Sequence, residues 1–163
     1  MDKTEALKAK ILKAQEAADI AGLYVLESEA NERFDEQTLI AYYANILELA
    51  LENLTDALGT ARKMQMADVK DFATLRALYE YAVEHYSAGK TYDAAALFEI
   101  LAGLTDDARF SNAMNRHREC AERLQDFDRF LEEAADLDET QRNGTFFISA
   151  FKNGACEGTE GDA

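Results

Sequence analysis

The feature that most constrains the fold is a helix-period pattern on both sides of Gly89, within residues 78–107. Apolar side chains recur there at spacings of three and four. Before Gly89 they are Leu78, Tyr79, Ala82, Val83 and Tyr86, and after it Ala94, Leu97, Phe98 and Leu101. Glycine accepts the positive φ that ends a helix. The pattern therefore predicts two antiparallel helices, which form the unit of a helical repeat and a candidate binding unit.

Helix signals also fill the other parts of the sequence, which contains no proline and much alanine, leucine and glutamate. Asp2 and Asp35 are candidate N-caps for helices that run to about residue 27 and about residue 58, joined by a polar connection at residues 29–33. Further helices are predicted at residues 60–66, from Asp71, from Asp106 or Asp107 to residue 124, at residues 127–137 and at residues 146–153 after Thr145. We therefore expect an all-α fold of antiparallel helix pairs with a long N-terminal helical segment.

The charge balance limits the class of partner. The chain has 32 acidic and 17 basic residues, a formal net charge of −15. Nucleic acids and anionic membranes bind basic patches, so neither is expected as a partner. No apolar run reaches the roughly 20 residues that cross a bilayer, and the charged N-terminus does not resemble a signal peptide.

The two cysteines, Cys120 and Cys156, are too few for a disulfide framework. The expected location is therefore the cytoplasm. A bridge between the two cysteines would be unusual in that reducing compartment, but the sequence does not exclude it.

Residues for catalysis or cofactor binding do not form a recognisable constellation, so we expect neither enzyme activity nor a cofactor. The two histidines, His85 and His117, lack the spacing of zinc-protease or di-iron motifs. His117 and Cys120 lie three residues apart and could share a helix face. Two ligands on one helix are weak evidence for a metal site, and no metal is expected.

Two tyrosines of the first predicted helix, Tyr79 and Tyr86, lie seven residues apart on one face with Val83 between them. One interpretation places them in the core. The other places them at an interface, because the hydroxyl needs a partner and tyrosine is enriched at interfaces. In a curved stack of helix pairs the first helices line the concave side, where a tyrosine row would hold an extended peptide.

The stretch LYEYAVEHYSAGKTYDAAALFEIL resembles the first tetratricopeptide repeat of the class II type III secretion chaperones. The segment from Ala108 to Phe110 resembles the start of the second repeat, DFDRFLEEAADLD its second helix, and residues 145–150 the start of the third. The resemblance covers residues 59–151. The chain departs from the family in three ways. Asn112, Asn115 and Arg116 replace the usual small core residues of the second repeat's first helix, and the third repeat ends after one helix. The first 58 residues are also longer than the family's usual N-terminal segment.

The resemblance implies tetratricopeptide-like repeats in a short superhelix and a bacterial cytoplasmic chaperone that keeps a secreted client soluble. The client would be a hydrophobic translocator or, given the departures, a filament or needle-tip subunit. The family's concave client-binding face corresponds to Tyr79, Val83, Tyr86 and Phe98, with Arg109, Asn112 and Met114 extending it on the next repeat.

The N-terminal residues 1–58 are expected to pack against the repeat region, residues 59–154, or to form a homodimer, and residues 155–163 to be a disordered acidic tail. The family often dimerises through N-terminal helices. In this chain the apolar surface that is wide enough to form such a dimer comprises Tyr42, Tyr43, Ile46, Leu49 and Leu51. Two other functions remain open: a scaffold or regulatory repeat protein unconnected with secretion, and a helical bundle that binds a metal through His117 and Cys120.

Overall fold

The computed structural model describes residues 2–123, 126–154 and 156. The prediction of an all-α fold with packed helix pairs is confirmed. The helices are α1 (Lys3–Glu16), α2 (Ile20–Val25), α3 (Glu27–Arg33), α4 (Glu36–Thr60), α5 (Val69–Ser87), α6 (Thr91–Leu104), α7 (Ala108–Glu122), α8 (Phe127–Arg129) and α9 (Leu137–Asn143). A π-helical turn, Phe130–Ala134, continues α8. Within the described residues, no helix has both the length and the apolar character needed to span a membrane.

The chain divides into two compact units. The first comprises Met1–Arg62 and Met66–Leu78, and the second comprises Lys63–Gln65 and Tyr79–Ala163. Helix α5 therefore gives its first half to one unit and its second half to the other. The boundaries predicted at residues 58 and 154 remain predictions, and the predicted tail lies outside the described residues except for Cys156.

The first unit begins with the predicted cap, because the Asp2 carboxylate accepts a hydrogen bond from the Glu5 amide at 2.8 Å. The prediction of one helix to about residue 27 is wrong. Helix α1 ends at Glu16, Ala18 takes a positive φ of 53°, and Asp19 caps α2 through the amide of Gly22. A Cβ at Gly22 would lie 2.4 Å from the Asp19 carboxylate, so any other residue there would push the carboxylate from its capping position. The predicted connection at residues 29–33 is part of α3.

Helix α4 starts as predicted, with the Asp35 carboxylate accepting from the Thr38 amide at 2.8 Å. It does not end at Gly59, because Ala61 provides the left-handed residue instead. Part of the face predicted to form a dimer packs into the first unit: Tyr42 and Ile46 are buried, and the Tyr42 hydroxyl donates to the Leu23 carbonyl, whereas Leu51 stays exposed.

Residues 61–68 contain no helix, so the short helix predicted at 60–66 is wrong. Asp71 is also not the cap of α5, since it lies inside that helix and its own amide is capped by the Asp68 carboxylate. The Asp71 side chain is instead buried and forms a bidentate ion pair with Arg62, with both N–O distances at 3.0 Å. A buried carboxylate needs such a partner, because an unpaired buried charge is strongly destabilising.

In the second unit, the predicted turn at Gly89 is confirmed, with a φ of 84°. Helix α6 is followed by α7, whose first turn is capped by the Asp107 carboxylate at 2.9 Å from the Phe110 amide. Residues Lys63–Gln65 join this unit, since the Met64 amide donates to the Leu104 carbonyl at 2.7 Å.

The C-terminal part of the second unit differs from its prediction. Residues 127–137 are predicted as one helix but form α8, the π-helical turn and the start of α9. The final helix predicted at residues 146–153 is wrong, because residues 145–151 are not helical and bend at Phe146 and Phe147. We call residues 145–151 the strap.

Candidate functional site, an aromatic face covered by a C-terminal strap

Five buried rings of the second unit make up what we call the aromatic face: Tyr79, Phe98, Phe110, His117 and Phe130. Four of them contact one another, and Phe110 is joined to Tyr79 through the rings of Phe146 and Phe147. The five rings come from four elements, namely α5, α6, α7 and the π-helical turn. The centroid of the His117 ring lies 5.3 Å from that of Tyr79, 4.8 Å from that of Phe98 and 4.9 Å from that of Phe130. Tilted and edge contacts at these distances are the favoured geometries of aromatic pairs.

A hydrogen-bonded chain at the centre of the face fixes the protonation of its polar atoms. His117 Nδ1 lies 2.6 Å from the Ala113 carbonyl oxygen, which can only accept, so Nδ1 carries the proton. In a neutral ring Nε2 then accepts, and the Tyr79 hydroxyl donates to it at 2.9 Å. The Tyr79 oxygen still has a free acceptor position, which the Ile148 amide fills at 3.1 Å.

Burial keeps His117 and Tyr79, the two side chains joined by this hydrogen bond, uncharged. His117 is fully buried, and desolvation lowers its pKa to about 4, against the opposing effect of the Ala113 carbonyl. Desolvation likewise raises the pKa of the Tyr79 hydroxyl. At neutral pH the pair is therefore a neutral imidazole and a neutral phenol, and it orients the strap without a net charge.

The strap lies against the aromatic face through its three phenylalanines. Phe147 is buried, with its ring centroid 5.0 Å from that of Phe110 and 6.4 Å from that of Tyr79. The Phe146 ring lies 6.1 Å from Tyr79, and the Phe151 ring lies 5.8 Å from His117. The Ile148 amide bonded to Tyr79 lies between these contacts, so the main chain of the strap also contributes.

Main-chain and hydroxyl groups fix the far end of the strap beside the π-helical turn. The Asp136 amide donates to the Ala150 carbonyl at 2.9 Å, and the Lys152 amide donates to the Ala134 carbonyl at 2.8 Å. The Thr140 hydroxyl accepts from the amides of Ser149 and Ala150, both at 3.2 Å. The strap is thus a short, non-helical segment that ring contacts and hydrogen bonds hold against the rest of the second unit.

The predicted client-binding residues lie at very different depths. Tyr79, Tyr86, Phe98 and Met114 are buried, Val83 is half-buried, and Arg109 and Asn112 are exposed. The expectation of an open tyrosine row is therefore corrected, because the strap and the neighbouring rings cover it. The Tyr86 ring packs on other rings of the second unit, 5.5 Å from Phe130, 5.3 Å from Phe127 and 6.0 Å from Phe98. A role of the seven residues in binding a client remains a prediction.

The predicted client-binding residues include only two members of the aromatic face, Tyr79 and Phe98. The strap was not predicted as part of that site, and neither were Phe110, His117 and Phe130. His117 was considered as a metal ligand, and Phe110 as part of the segment that resembles the start of a second repeat. The available signal was the run from Phe146 to Phe151, which holds three phenylalanines in six residues between Gly144 and Gly154. Nine residues between two glycines are short for a helix, and aromatic residues are only moderate helix formers.

The two side chains considered as metal ligands are used otherwise. Cys120 forms a disulfide with Cys156, and both ring nitrogens of His117 take part in hydrogen bonds. Across residues 2–123, 126–154 and 156, no group of three or more histidine, cysteine or acidic side chains could hold a metal ion.

Comparisons with protein-family models, with curated proteins and with solved structures find no match to this chain.

Proposed function

We propose that the protein binds a non-helical, apolar segment of a partner protein on the aromatic face, in the place that its own strap occupies. One observation carries the proposal: the strap is held by ring contacts and by a hydrogen bond from a main-chain amide to the Tyr79 hydroxyl. A main-chain contact is available to any sequence, whereas the rings select apolar side chains. This combination is typical of sites that recognise peptide segments.

The strap indicates which segment the face would accept. It presents two adjacent aromatic side chains, Phe146 and Phe147, and a third four residues later, Phe151. The neutral Tyr79 and His117 pair adds no charge requirement. The partner segment would therefore be uncharged and aromatic or strongly apolar at these three positions. Such a segment is prone to aggregation when free, so a protein that covers it would act as a chaperone.

The resemblance to the class II type III secretion chaperones makes a translocator, filament or needle-tip subunit the first client to test, with the bacterial cytoplasm as the location. The net charge of −15 supports a role in keeping an apolar client soluble. A general interaction module is the second candidate. The Cys120–Cys156 disulfide favours it, because disulfides persist in oxidising compartments rather than in the cytoplasm.

A peptide supplied in trans tests the site. We expect a labelled peptide of residues 143–154 to bind a full-length Phe146→Ser, Phe147→Ser variant at least about tenfold more tightly than it binds the unaltered chain, because the altered strap no longer competes for the face. Fluorescence anisotropy measures the binding.

Two controls accompany this experiment. A peptide with serine at all three phenylalanine positions should not bind, and a Tyr92→Ser variant, altered at a side chain that is 72% exposed, should behave like the unaltered chain. A strap variant that keeps its helical circular dichroism but does not bind the unaltered peptide would show that the face is only a core.

A homodimer remains part of the proposal, through a face of α4 that shares only Leu51 with the surface first expected. Apolar residues follow the heptad spacing of four and three along its outer side, at Ile40, Ala44, Leu47, Leu51, Leu54 and Leu58. Ile40 and Leu58 are 63% and 58% exposed. A heptad stripe is complementary to a second copy of itself, since each knob fits the holes of an identical helix.

We expect the combined Leu51→Glu and Leu58→Glu substitutions to convert a dimer into a monomer in sedimentation velocity, because they bury like charges in the seam. The matched control is Leu137→Glu, at a leucine that is 49% exposed on α9. An unaltered chain that sediments as a monomer at high micromolar concentration would exclude this dimer.

A further inference from the structure

The strap is followed closely by a covalent link to the helix that supports the aromatic face. Cys156 lies five residues after Phe151 and forms a disulfide with Cys120 of α7. Cys120 is fully buried, whereas Cys156 is partly exposed. Helix α7, which carries His117 and Phe110, is therefore also linked covalently to the segment that follows the strap.

The other contacts of the strap are non-covalent and individually exchangeable. They are the Ile148 amide on Tyr79, the two main-chain bonds beside the π-helical turn, the bonds to Thr140 and the phenylalanine contacts. A partner segment can replace the hydrogen bond to Tyr79 and the phenylalanine contacts. The disulfide is different, because it tethers the strap on its C-terminal side in addition to the chain connection to α9, and so raises the effective concentration of the strap at the face.

We infer that the Cys120–Cys156 disulfide controls access to the aromatic face: oxidised, it retains the strap as an intramolecular competitor, and reduced, it lets a partner segment displace the strap. The inference rests on the proposed function, since it concerns the same site. In the oxidised protein without a partner, the strap therefore occupies the aromatic face.

The reduction requires a dithiol as the electron donor. One thiolate of the dithiol attacks Sγ of Cys156, the more accessible sulfur, and the bond to Cys120 breaks. The Cys120 thiolate takes up a proton. The second thiol of the dithiol then attacks the mixed disulfide and releases Cys156 as a thiol. The protein has gained two electrons and two protons, and the dithiol leaves as a cyclic disulfide.

The test uses the full-length chain in three forms: oxidised, reduced with dithiothreitol, and carrying Cys156→Ser. Because the chain has only two cysteines, the reductant acts on this bond alone. Two readouts are needed. Hydrogen exchange of residues 146–151 reports release of the strap without any partner, and anisotropy of the labelled 143–154 peptide reports access to the face.

We expect the strap amides of the reduced form and of the Cys156→Ser variant to exchange at least about tenfold faster than those of the oxidised form, and the peptide to bind them at least about tenfold more tightly. Helical circular dichroism should be retained in all three. Dithiothreitol should not affect the Cys156→Ser variant, which lacks the bond.

The possible failures separate the two proposals. Equal strap exchange in all three forms overturns the control by the disulfide, and so does a loss of helical circular dichroism on reduction, because the bond would then hold the whole unit. Equal peptide binding in all three forms also overturns it but leaves the binding site intact. Faster strap exchange without peptide binding in any form supports release of the strap and contradicts the proposed function.

Discussion

Replacing Tyr79 with phenylalanine should destabilise the protein by about 2 to 4 kcal/mol, although it removes a single oxygen atom. That oxygen donates to His117 Nε2 and accepts from the Ile148 amide. Its removal leaves two polar groups without this partner. Each such loss costs about 1 to 3 kcal/mol, and the loss at Ile148 lies at the low end because that hydrogen bond is only partly buried. The aromatic packing of the ring is kept, so the cost comes from the hydrogen bonds.

Urea denaturation followed by circular dichroism measures this change. Tyr92→Phe is the matched control, because Tyr92 is 72% exposed and the same substitution there should change the free energy of unfolding by less than about 0.5 kcal/mol. Hydrogen exchange should also show a faster amide at Ile148 in Tyr79→Phe. A variant as stable as the unaltered chain would mean that the hydrogen-bonded chain through Tyr79 does not hold the unit together.

Acidification from pH 6.5 to pH 4 should remove about 3 kcal/mol of stability through His117 alone. Burial lowers the pKa of His117 from 6.5 to about 4 in the folded protein. The unfolded chain therefore binds a proton more readily than the folded one throughout this interval. The contribution is fully present above pH 6.5 and is lost as the pH falls towards 4, at about 1.4 kcal/mol for each pH unit.

The carboxylates of the chain also titrate in this range, so the prediction concerns a difference between variants. The free energy of unfolding of His117→Gln should fall less steeply between pH 6.5 and pH 4 than that of the unaltered chain. His85→Gln, which removes the other histidine, is the control and should keep the steep dependence. Parallel pH profiles for all three proteins would show that His117 does not stay neutral in the folded state.

Features of the fold that depend on a few neighbouring residues could be predicted from the sequence. Asp2, Asp35 and Asp107 cap helices, and Gly89 ends one, because a short side chain or an absent Cβ satisfies the chain locally. The helical character of the chain follows from the apolar spacing. In these cases the local preference and the final structure agree.

One local cap was also missed, because the alanines around residue 18 favour helix whereas the Asp19 carboxylate starts a new helix by accepting from the Gly22 amide. Features that depend on more distant contacts could not be predicted in this way. Asp71 has the residue type of a cap, but its buried pair with Arg62 decides its role. The strap has no local pattern of its own, since its conformation is set by Tyr79, Thr140 and the rings beneath it. The sequence thus predicted an open client-binding face on these helices, whereas the strap covers Tyr79, and a role of the face in binding a client stays a prediction.

The division of the chain also has a consequence for how it can be cut or recombined. Helix α5 belongs to both units, and the short stretch Lys63–Gln65 belongs to the second unit although residues of the first follow it. A single cut between residues 78 and 79 would divide a helix and would leave Met64 on the wrong fragment. The units are therefore not exchangeable cassettes, and neither a split reporter nor a chimera with another protein should be built at that boundary.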